Sequence, residues 1–409
     1  MNVPKPLSLK KSFGFGDRLG LATPGHVSAA AKSDFAPVFA QQSIREMSRT
    51  RRSPEEVMSS AQNALVRLGY DKDWGADADH LKTPEDVQAT AEAGFTFFTI
   101  DPSSFVNNAA DRMDPATVGK LSSQIEREDL FHSPDYLGRP FEIGGTQLVF
   151  EKLTLDRAAV KYGRAIAHSA NMAAEITRLL PEADVEISVD ETDFATTPQE
   201  HFFIGMELKR RGVRVTSLAP RFVGEFEKGV DYRGDLKAFE EKLRQHVDIA
   251  KYCGPYKISI HSGSDKFAVY PIIGRLCGDL LHVKTAGTSY LEALRAVCRS
   301  DRLLFEEISA YSHSRFATDR ASYHISTTEA EVAALRGIAA EDLERAYLDE
   351  RAGRQLLHVT FGSVLTLGNR ADGRPFKEAI LETLDRNEDL HHHLVEKHFD
   401  HHLELLNAG

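Results

Sequence analysis

Residues 74–86 read Trp74-Gly-Ala-Asp-Ala-Asp-His-Leu-Lys-Thr-Pro-Glu-Asp86, a small and apolar run followed by polar residues. The run Trp74–Asp79 predicts a buried strand. Thr83 followed by Pro84 and two acidic residues predicts the N-cap and first turn of a helix. Thr197-Pro198-Gln199-Glu200 repeats the helix-start pattern. Each stretch therefore predicts a helix start, and the first predicts a strand joined to a helix, the repeating unit of a parallel sheet.

Short apolar runs alternate with longer segments of helical period along most of the chain. The strand candidates are Phe13–Leu21, Trp74–Asp79, Phe95–Asp101, Val185–Asp190, Val213–Leu218, Lys257–His261, Leu280–Val283 and Leu356–Phe361. Eight strands with helices between them are the content of a closed parallel barrel. We therefore expect an α/β fold, a (β/α)8 TIM-type barrel with insertions and a helical C-terminal extension.

The chain has 409 residues, a normal length for a barrel that carries insertions. We expect residues 1–365 to form the catalytic barrel and residues 366–409 a helical extension packed on it. Two insertions interrupt the barrel. The first, at about 102–150, contains Gly144-Gly145, which predicts a hairpin, and the second, at about 301–352, is mostly helical and charged.

Composition narrows the class of function. Hydrophobic residues make up 42% of the chain, the formal net charge is −11, and no basic face suggests a nucleic-acid partner. No apolar run is long enough for a membrane span, and no apolar stretch follows the basic N-terminus as in a secretory signal. Three widely spaced cysteines indicate a reducing compartment and no disulfide framework. These features favour a cytoplasmic enzyme acting on a small molecule.

Barrel enzymes place their active sites at the carboxyl ends of the strands, where this sequence has several histidines. His80, His261 and His282 follow or end three different strand candidates, with carboxylates beside them. Imidazoles converging from rigid strand ends suit Zn²⁺, Mn²⁺, Co²⁺ or Ni²⁺, so we expect these three to bind one divalent cation. His358 lies between Leu357 and Val359 and is interpreted as a core histidine.

Two acidic residues are candidates for proton transfer. Asp79 directly precedes His80, and at a strand-to-loop turn it could act beside the cation, whereas the structural alternative is a helix cap. Glu191 comes from a different strand end and could face the opposite side of a substrate. Asp190 and Asp193 compete with it, as loop anchors or as a fourth ligand.

Two loops could bind an anionic substrate. His261-Ser-Gly-Ser264-Asp-Lys266 exposes backbone N–H groups beside an ammonium, or forms an ordinary turn with a helix cap. In the other loop, near the N-terminus, Arg18 could bind a carboxylate or pair with Asp17. The expected substrate-binding residues are Asp17, Arg18, Ser264, Lys266 and Lys284. The histidines between 391 and 402 accompany an apolar stripe and are interpreted as a solvated helix face.

Three segments carry a family resemblance: residues 12–26, 74–83 and 258–267. They resemble the tagaturonate epimerase family, whose members interconvert tagaturonate and fructuronate. The resemblance implies divalent-metal dependence and epimerisation at carbon 4 of a ketose acid. The sequence is also similar to class II aldolase barrels, and this implies Asp79 as base, Glu191 as partner acid, and His80, His261 and His282 as ligands.

The chemistry of such a substrate favours an aldol route. The hydrogen on carbon 4 is β to the ketone and is not acidic, so cleaving and re-forming the bond between carbons 3 and 4 avoids its removal. The alternatives are a metal-dependent aldolase or ketose–aldose isomerase acting on a sugar acid, and a scaffold barrel without metal. The sequence leaves open whether the protein forms a homo-oligomer.

Overall fold

A computed structural model describes residues 2–409 of the chain. It contains ten strands: β1 (Ser12–Gly16), β2 (Ala36–Ser43), β3 (Gly75–Leu81), β4 (Phe97–Ile100), β5 (Phe141–Ile143), β6 (Thr146–Leu148), β7 (Asp184–Val189), β8 (Ser217–Pro220), β9 (Lys257–Ile260) and β10 (Leu281–Thr285). Eight of them close a barrel in the order β1-β10-β9-β8-β7-β4-β3-β2. All neighbouring pairs in the barrel are parallel, and β1 with β10 closes it. The predicted (β/α)8 barrel is confirmed.

Helices follow the strands around the barrel. Their bounds are α1 (Thr23–Ala30), α2 (Ile44–Thr50), α3 (Pro54–Arg67), α4 (Pro84–Glu92), α5 (Pro115–Arg127), α6 (Lys152–Leu179), α7 (Pro198–Arg210), α8 (Leu236–Cys253), α9 (Tyr270–Cys277), α10 (Thr288–Ser300), α11 (Arg302–Asp319), α12 (Glu329–Ala333), α13 (Arg351–Thr366), α14 (Phe376–Asp385) and α15 (Glu388–Asn407). In residues 2–409, no helix has both the length and the apolar composition needed to cross a membrane.

The predicted helix starts are correct in detail. The Thr83 side chain accepts from the Asp86 backbone N–H, and the Asp86 carboxylate accepts from the Thr83 backbone N–H. Thr197 and Glu200 form the same reciprocal capping box at the start of α7. These contacts satisfy N–H groups that a helix leaves open at its first turn. Because Thr83 caps α4, the alternative role of Asp79 as the cap of that helix is wrong.

One strand prediction is wrong and one strand was missed. Leu356–Phe361 lies inside α13, whose residues are buried almost without interruption. A short apolar run does not distinguish a strand from a helix that is buried on all sides. The missing barrel strand is β2, which carries Pro37 and the polar pair Gln41 and Gln42. Its polar residues are buried, so its sequence lacks the apolar signal of a central strand.

Both insertions pack beside the barrel. In the first, β5 and β6 form an antiparallel hairpin, with Gly144 and Gly145 at positive φ in its turn, as predicted. The second contains α11 and α12, and its side chains join those of α10, α13 and α14 in a hydrophobic cluster separate from the main core. The main core fills the barrel and includes the apolar stripe of α15. That helix packs mainly on α1, α9 and α10.

Candidate active site

A cavity of about 350 Å³ opens at the carboxyl ends of the barrel strands. The residues that line it come from β2, β3, β8 and β10, from the start of α2, from the loops after β7, β8, β9 and β10, and from the segment after α11. They include Gln41, Arg45, Asp79, His80, Asp190, Glu191, Arg221, Glu225, Lys228, His261, Lys284, Tyr323 and His324. This is the end of the barrel where sites of TIM-barrel enzymes lie.

An irregularity in β3 aims two neighbouring side chains into this cavity. The register with β4 shifts between Ala78 and Leu81, and His80 has a φ of 58°. In a regular strand, adjacent side chains point to opposite faces, but this bulge turns Asp79 and His80 towards each other. Asp79 Oδ1 lies 2.9 Å from His80 Nδ1. The Nε2 atom of His80 is therefore the one that remains for a ligand.

His261 follows β9 and is held in the same manner by a different carboxylate. Its Nε2 lies 2.6 Å from Glu186 Oε1, a carboxylate buried in the middle of β7. Its Nδ1 is buried and makes no hydrogen bond within residues 2–409. The nearest carboxylate to Nδ1 is Asp190, with Oδ1 at 3.3 Å.

His80, Asp190 and His261 form a compact cluster, in which one ligand atom from each lies within 4.8 Å of the others. Burial disfavours charge on all three, but opposite charges outweigh it. The carboxylates of Asp190 and Glu186 raise the pKa of His261 to about 10, and His261 and His80 hold the pKa of Asp190 below its usual range. The surroundings therefore favour a positive charge at this point.

The cluster fits a divalent cation by its chemistry. Two imidazoles and a carboxylate are common ligands of Zn²⁺ and similar ions. Each imidazole has its second nitrogen hydrogen-bonded to a carboxylate, Asp79 or Glu186, which is the arrangement that orients metal-binding histidines. The unpaired His261 Nδ1 points to the same use, because a buried ring nitrogen without a partner is costly.

Lys284 connects the two orienting carboxylates beneath the cluster. Its Nζ lies 2.9 Å from Asp79 Oδ1, 2.8 Å from Glu186 Oε1 and 2.8 Å from Asp77 Oδ2. Burial lowers the pKa of Lys284, but these three carboxylates raise it more strongly. The pKa therefore lies well above the usual range for lysine. Lys284 lines the cavity, but its hydrogen bonds hold the site's carboxylates in place.

Glu191 stands at the rim of the cavity rather than in the cluster. Its Oε1 lies 3.0 Å from Arg45 Nη2 and 3.8 Å from His80 Nε2. The side chain is about one-third exposed, so it can reach a molecule held in the cavity. His80, Asp101 and Glu191 form a second, overlapping group of neighbouring ligand atoms.

The structure does not bring His282 into the cluster. Strand β10 runs on to Thr285, two residues beyond its predicted end, so His282 is the second residue of the strand and lies inside the barrel. Its Nδ1 is 2.8 Å from Ser12 Oγ and its Nε2 is 4.0 Å from Asp77 Oδ2. The expected three imidazoles therefore do not converge, and Asp190 stands beside His80 and His261 instead.

Asp17 and Arg18 lie outside the cavity and serve the loop after β1. Asp17 accepts backbone N–H groups of Leu19, Gly20 and Ala22. Arg18 is buried and does not pair with Asp17. It donates to Glu46 at 2.6 and 2.9 Å.

Ser264 and Lys266 also lie outside the cavity. The Lys266 ammonium is fully buried and donates to the carbonyl oxygens of Glu227, Val230 and Ser264. Burial lowers its pKa to about 7, with Asp265 opposing that effect. Lys266 thus supports the loop after β8 from below.

A second group of potential ligands, Asp265, His398 and His402, joins α15 to the barrel. The Arg354 guanidinium lies 2.9 Å from Asp265 Oδ2 and already neutralises it. His402 Nε2 accepts the Asp265 backbone N–H at 3.0 Å, so this nitrogen is occupied. The group therefore docks a helix. The solvated face predicted for the C-terminal histidines is wrong for His391 and His402, which are buried.

Several residues of the site were missed or ranked low in the sequence. Glu186 and Asp77 are acidic residues in the middle of buried strands, and an acidic side chain at such a position is the signal that would have found them. Asp190 was one of two residues expected as a loop anchor or as a fourth ligand, and the structure places it in the cluster. Arg45 lies in the first turn of α2 and Lys228 in the loop after β8, and neither has a distinguishing sequence pattern, so only the folded chain reveals that they line the cavity.

Known proteins resemble the whole chain. A family model described as tagaturonate epimerase matches residues 1–406. A tagaturonate/fructuronate epimerase of Thermotoga maritima is 43% identical over 403 residues, which cover 98% of this chain and 82% of that protein. The native crystal structure of a fructuronate-tagaturonate epimerase from Cohnella laeviribosi has a TM-score of 0.94 at 37% identity, covering 99% of this chain and 83% of that one. A complex of the same enzyme with two glycerol molecules also has a TM-score of 0.94, at 36% identity, covering 100% and 84%.

Proposed function

The chain belongs to the tagaturonate epimerase family, and we propose from this premise that it interconverts tagaturonate and fructuronate with the help of a divalent cation. The observation that carries the proposal is the cluster of His80, Asp190 and His261 at the barrel mouth. Its ligand types and their buried hydrogen-bond partners are those of a metal site.

The cation would be held by His80 Nε2, His261 Nδ1 and an Asp190 oxygen. When bound, it would supply a Lewis acid that stabilises negative charge on substrate oxygens. Asp79 and Glu186 would orient the two imidazoles through their other nitrogens, and Lys284 would keep both carboxylates in position. This ligand set replaces the three histidines expected from the sequence.

Proton transfer at the carbon-4 hydroxyl falls to Glu191 in this proposal. Glu191 replaces Asp79, the base expected from the family resemblance, because Asp79 Oδ1 already lies 2.9 Å from both His80 Nδ1 and Lys284 Nζ. The Glu191 carboxylate lies at the cavity rim, 3.8 Å from His80 Nε2, so a substrate held at the cluster comes within its reach. Glu191 would take the hydroxyl proton as the bond between carbons 3 and 4 breaks, leaving an enediolate and an aldehyde. Rotation of the aldehyde and reformation of the bond would return the proton with carbon 4 inverted. Arg45, whose Nη2 lies 3.0 Å from Glu191 Oε1, would hold this carboxylate in place.

Conversion of tagaturonate in D2O, followed by proton NMR, tests this function. We expect fructuronate to appear with no deuterium at carbon 4, because the carbon-4 hydrogen stays on the aldehyde fragment throughout. Deuterium at carbon 4 would contradict the aldol route and indicate deprotonation or a redox step. An accumulating aldehyde fragment as the final product would indicate an aldolase, and an aldose product would indicate a ketose–aldose isomerase.

A further inference from the structure

Lys228 is a cation of the cavity wall that has no direct ion-pair partner within residues 2–409. It lies in the loop between β8 and α8 and lines the cavity. Within residues 2–409, its Nζ makes no hydrogen bond and has no carboxylate oxygen within 4.0 Å. Burial lowers the pKa of this side chain and outweighs the opposing charges of Glu46, Asp190 and Asp79.

The other cations that line the cavity all have acceptors. Arg45 pairs with Glu191 at 3.0 Å. Arg221 donates through Nη1 to the Thr192 carbonyl oxygen. Lys284 contacts three carboxylates. Lys228 is thus the cavity cation that can accept an anionic group from outside without giving up an existing contact.

The backbone that carries Lys228 is held in place by buried side chains. Lys266 Nζ donates to the carbonyl oxygens of residues 227 and 230, at 2.9 and 2.5 Å. Gln355 Nε2 donates to the Lys228 carbonyl oxygen at 3.3 Å, and Arg354 Nε donates to the next one at 2.7 Å. Four successive carbonyl groups are therefore fixed, in a loop that would otherwise be free to move. Such support is typical of a pre-organised binding group.

We propose that Lys228 binds the carboxylate of the sugar-acid substrate and so selects acids over neutral ketoses. The proposal rests on the proposed function, because it assigns the end of the substrate that does not react. An unpaired, partly desolvated ammonium destabilises the free protein, and an incoming carboxylate offsets that cost. Lys228 lines the same cavity as Asp79, His80, Asp190 and His261, so a substrate held at the cluster comes within its reach.

The carboxylate of a ketose acid is two carbons away from carbon 4, so its contact is made equally before and during bond cleavage. Binding energy of this kind lowers KM and leaves kcat almost unchanged. The expected signature of Lys228 is therefore an effect on KM that requires a carboxylate on the substrate.

The test compares tagaturonate with tagatose, which has a hydroxymethyl group in place of the carboxylate. For Lys228→Met, we expect kcat/KM for tagaturonate to fall about 30- to 100-fold, mainly through KM. For tagatose we expect kcat/KM to change by less than about threefold, because tagatose has no carboxylate that could pair with Lys228. If tagatose turnover is too slow to measure, the inhibition constants of galactonate, which is an acid, and of galactitol, which is neutral, provide the same comparison between the variant and the unmodified protein.

Two further variants make the result specific. Lys228→Arg keeps the charge and should retain most of the tagaturonate activity. Lys237→Met removes an exposed ammonium at the start of α8, outside the cavity, and should leave both substrates unaffected. The melting temperature of Lys228→Met should equal or exceed that of the unmodified protein, because no internal contact of the ammonium is lost.

The outcomes separate this proposal from the function on which it rests. Epimerisation of tagaturonate by the unmodified protein together with an unchanged KM in Lys228→Met overturns the role of Lys228 alone. Equal losses for tagaturonate and tagatose, or a clearly lower melting temperature, would show a structural role and also overturn it. No conversion of tagaturonate by the unmodified, metal-loaded protein overturns the proposed function and this inference with it.

Discussion

Single nitrogen atoms decide what the histidines of the cavity can do. His80 uses Nδ1 for Asp79, and His261 uses Nε2 for Glu186, so opposite ring nitrogens are left for a ligand. His282 has its Nδ1 beside Ser12 and its Nε2 next to Asp77, inside the barrel. The same residue type therefore has two different roles, and the partner of each nitrogen distinguishes them.

Replacement of the proposed ligands should remove the metal. For His261→Ala and Asp190→Ala, we expect loss of stoichiometric Zn²⁺ or Mn²⁺ after gentle purification, measured by elemental analysis, with at least about a 100-fold loss of turnover. Each variant removes one of three protein ligands, and two ligands hold a divalent cation weakly.

His282→Gln is the matched control for this experiment, since it removes an imidazole from the strand next to that of His261. We expect it to keep the metal, because Gln can still hydrogen-bond to Ser12 and the ring is not part of the cluster. Metal retained in His261→Ala but lost in His282→Gln would contradict the ligand set proposed from the structure.

Among the elements, α15 depends most clearly on uncharged histidines. His402 Nδ1 donates to the His398 carbonyl oxygen, and Nε2 accepts from the Asp265 backbone N–H. Burial lowers the pKa of His402 to about 3, His398 and His401 act in the same direction, and Asp265 opposes them. Protonation would break the second bond and place a charge in the core, so the docked helix requires neutral His402.

This dependence predicts a loss of stability in acid. In the unfolded chain His402 takes up a proton near its ordinary pKa of about 6.5, whereas in the folded protein it does so only near 3, so stability falls as the pH decreases between these values. At pH 5 the loss from this residue is about 2 kcal/mol. Urea unfolding at pH 7.5 and 5.0 should show a smaller decrease for His402→Gln than for the unmodified protein.

His393→Gln is the control for this comparison, because this side chain is exposed on the same helix and is not among the charges that act on His402. It should leave the pH dependence as it is. An equal decrease in His402→Gln and in the unmodified protein would mean that another group controls the docking of α15.

On the scale of the whole molecule, Arg18 joins the barrel core to the second hydrophobic cluster. Its guanidinium pairs with Glu46 on α2, donates to the His358 carbonyl oxygen on α13, and stacks on Phe361 at 3.5 Å from the ring centroid. Arg18 and Glu46 are both buried. One ion pair thus fixes how the outer helices sit against the barrel.

Replacing Arg18 alone should therefore lower the free energy of unfolding much more than replacing Arg18 and Glu46 together. We expect Arg18→Met to lower the free energy of unfolding by about 3–5 kcal/mol, because it leaves the buried Glu46 carboxylate without its counter-charge. The double variant Arg18→Met/Glu46→Gln should recover a large part of this loss in denaturant unfolding. Normal stability with a raised KM in Arg18→Met would support the substrate-binding role expected from the sequence.

The sequence alone was sufficient for features that depend on neighbouring residues. The capping boxes at Thr83 and Thr197 and the Gly144-Gly145 hairpin follow from local hydrogen bonds and backbone angles. Alternation of strand and helix signals was enough for the barrel, although Leu356–Phe361 is helical and β2 was missed. Local rules failed at these two places because burial on all sides hides the helical period, and because β2 buries polar side chains.

The tertiary structure decided which distant residues meet. His282 and Lys284 lie two residues apart on β10. Because the strand continues to Thr285, Lys284 lines the cavity and His282 lies inside the barrel. Glu186, Lys284 and Lys228 come from separate elements, and their roles follow from which charges surround them. Electrostatic partners act through space over a few ångströms, so they are set by closure of the barrel and not by spacing along the chain.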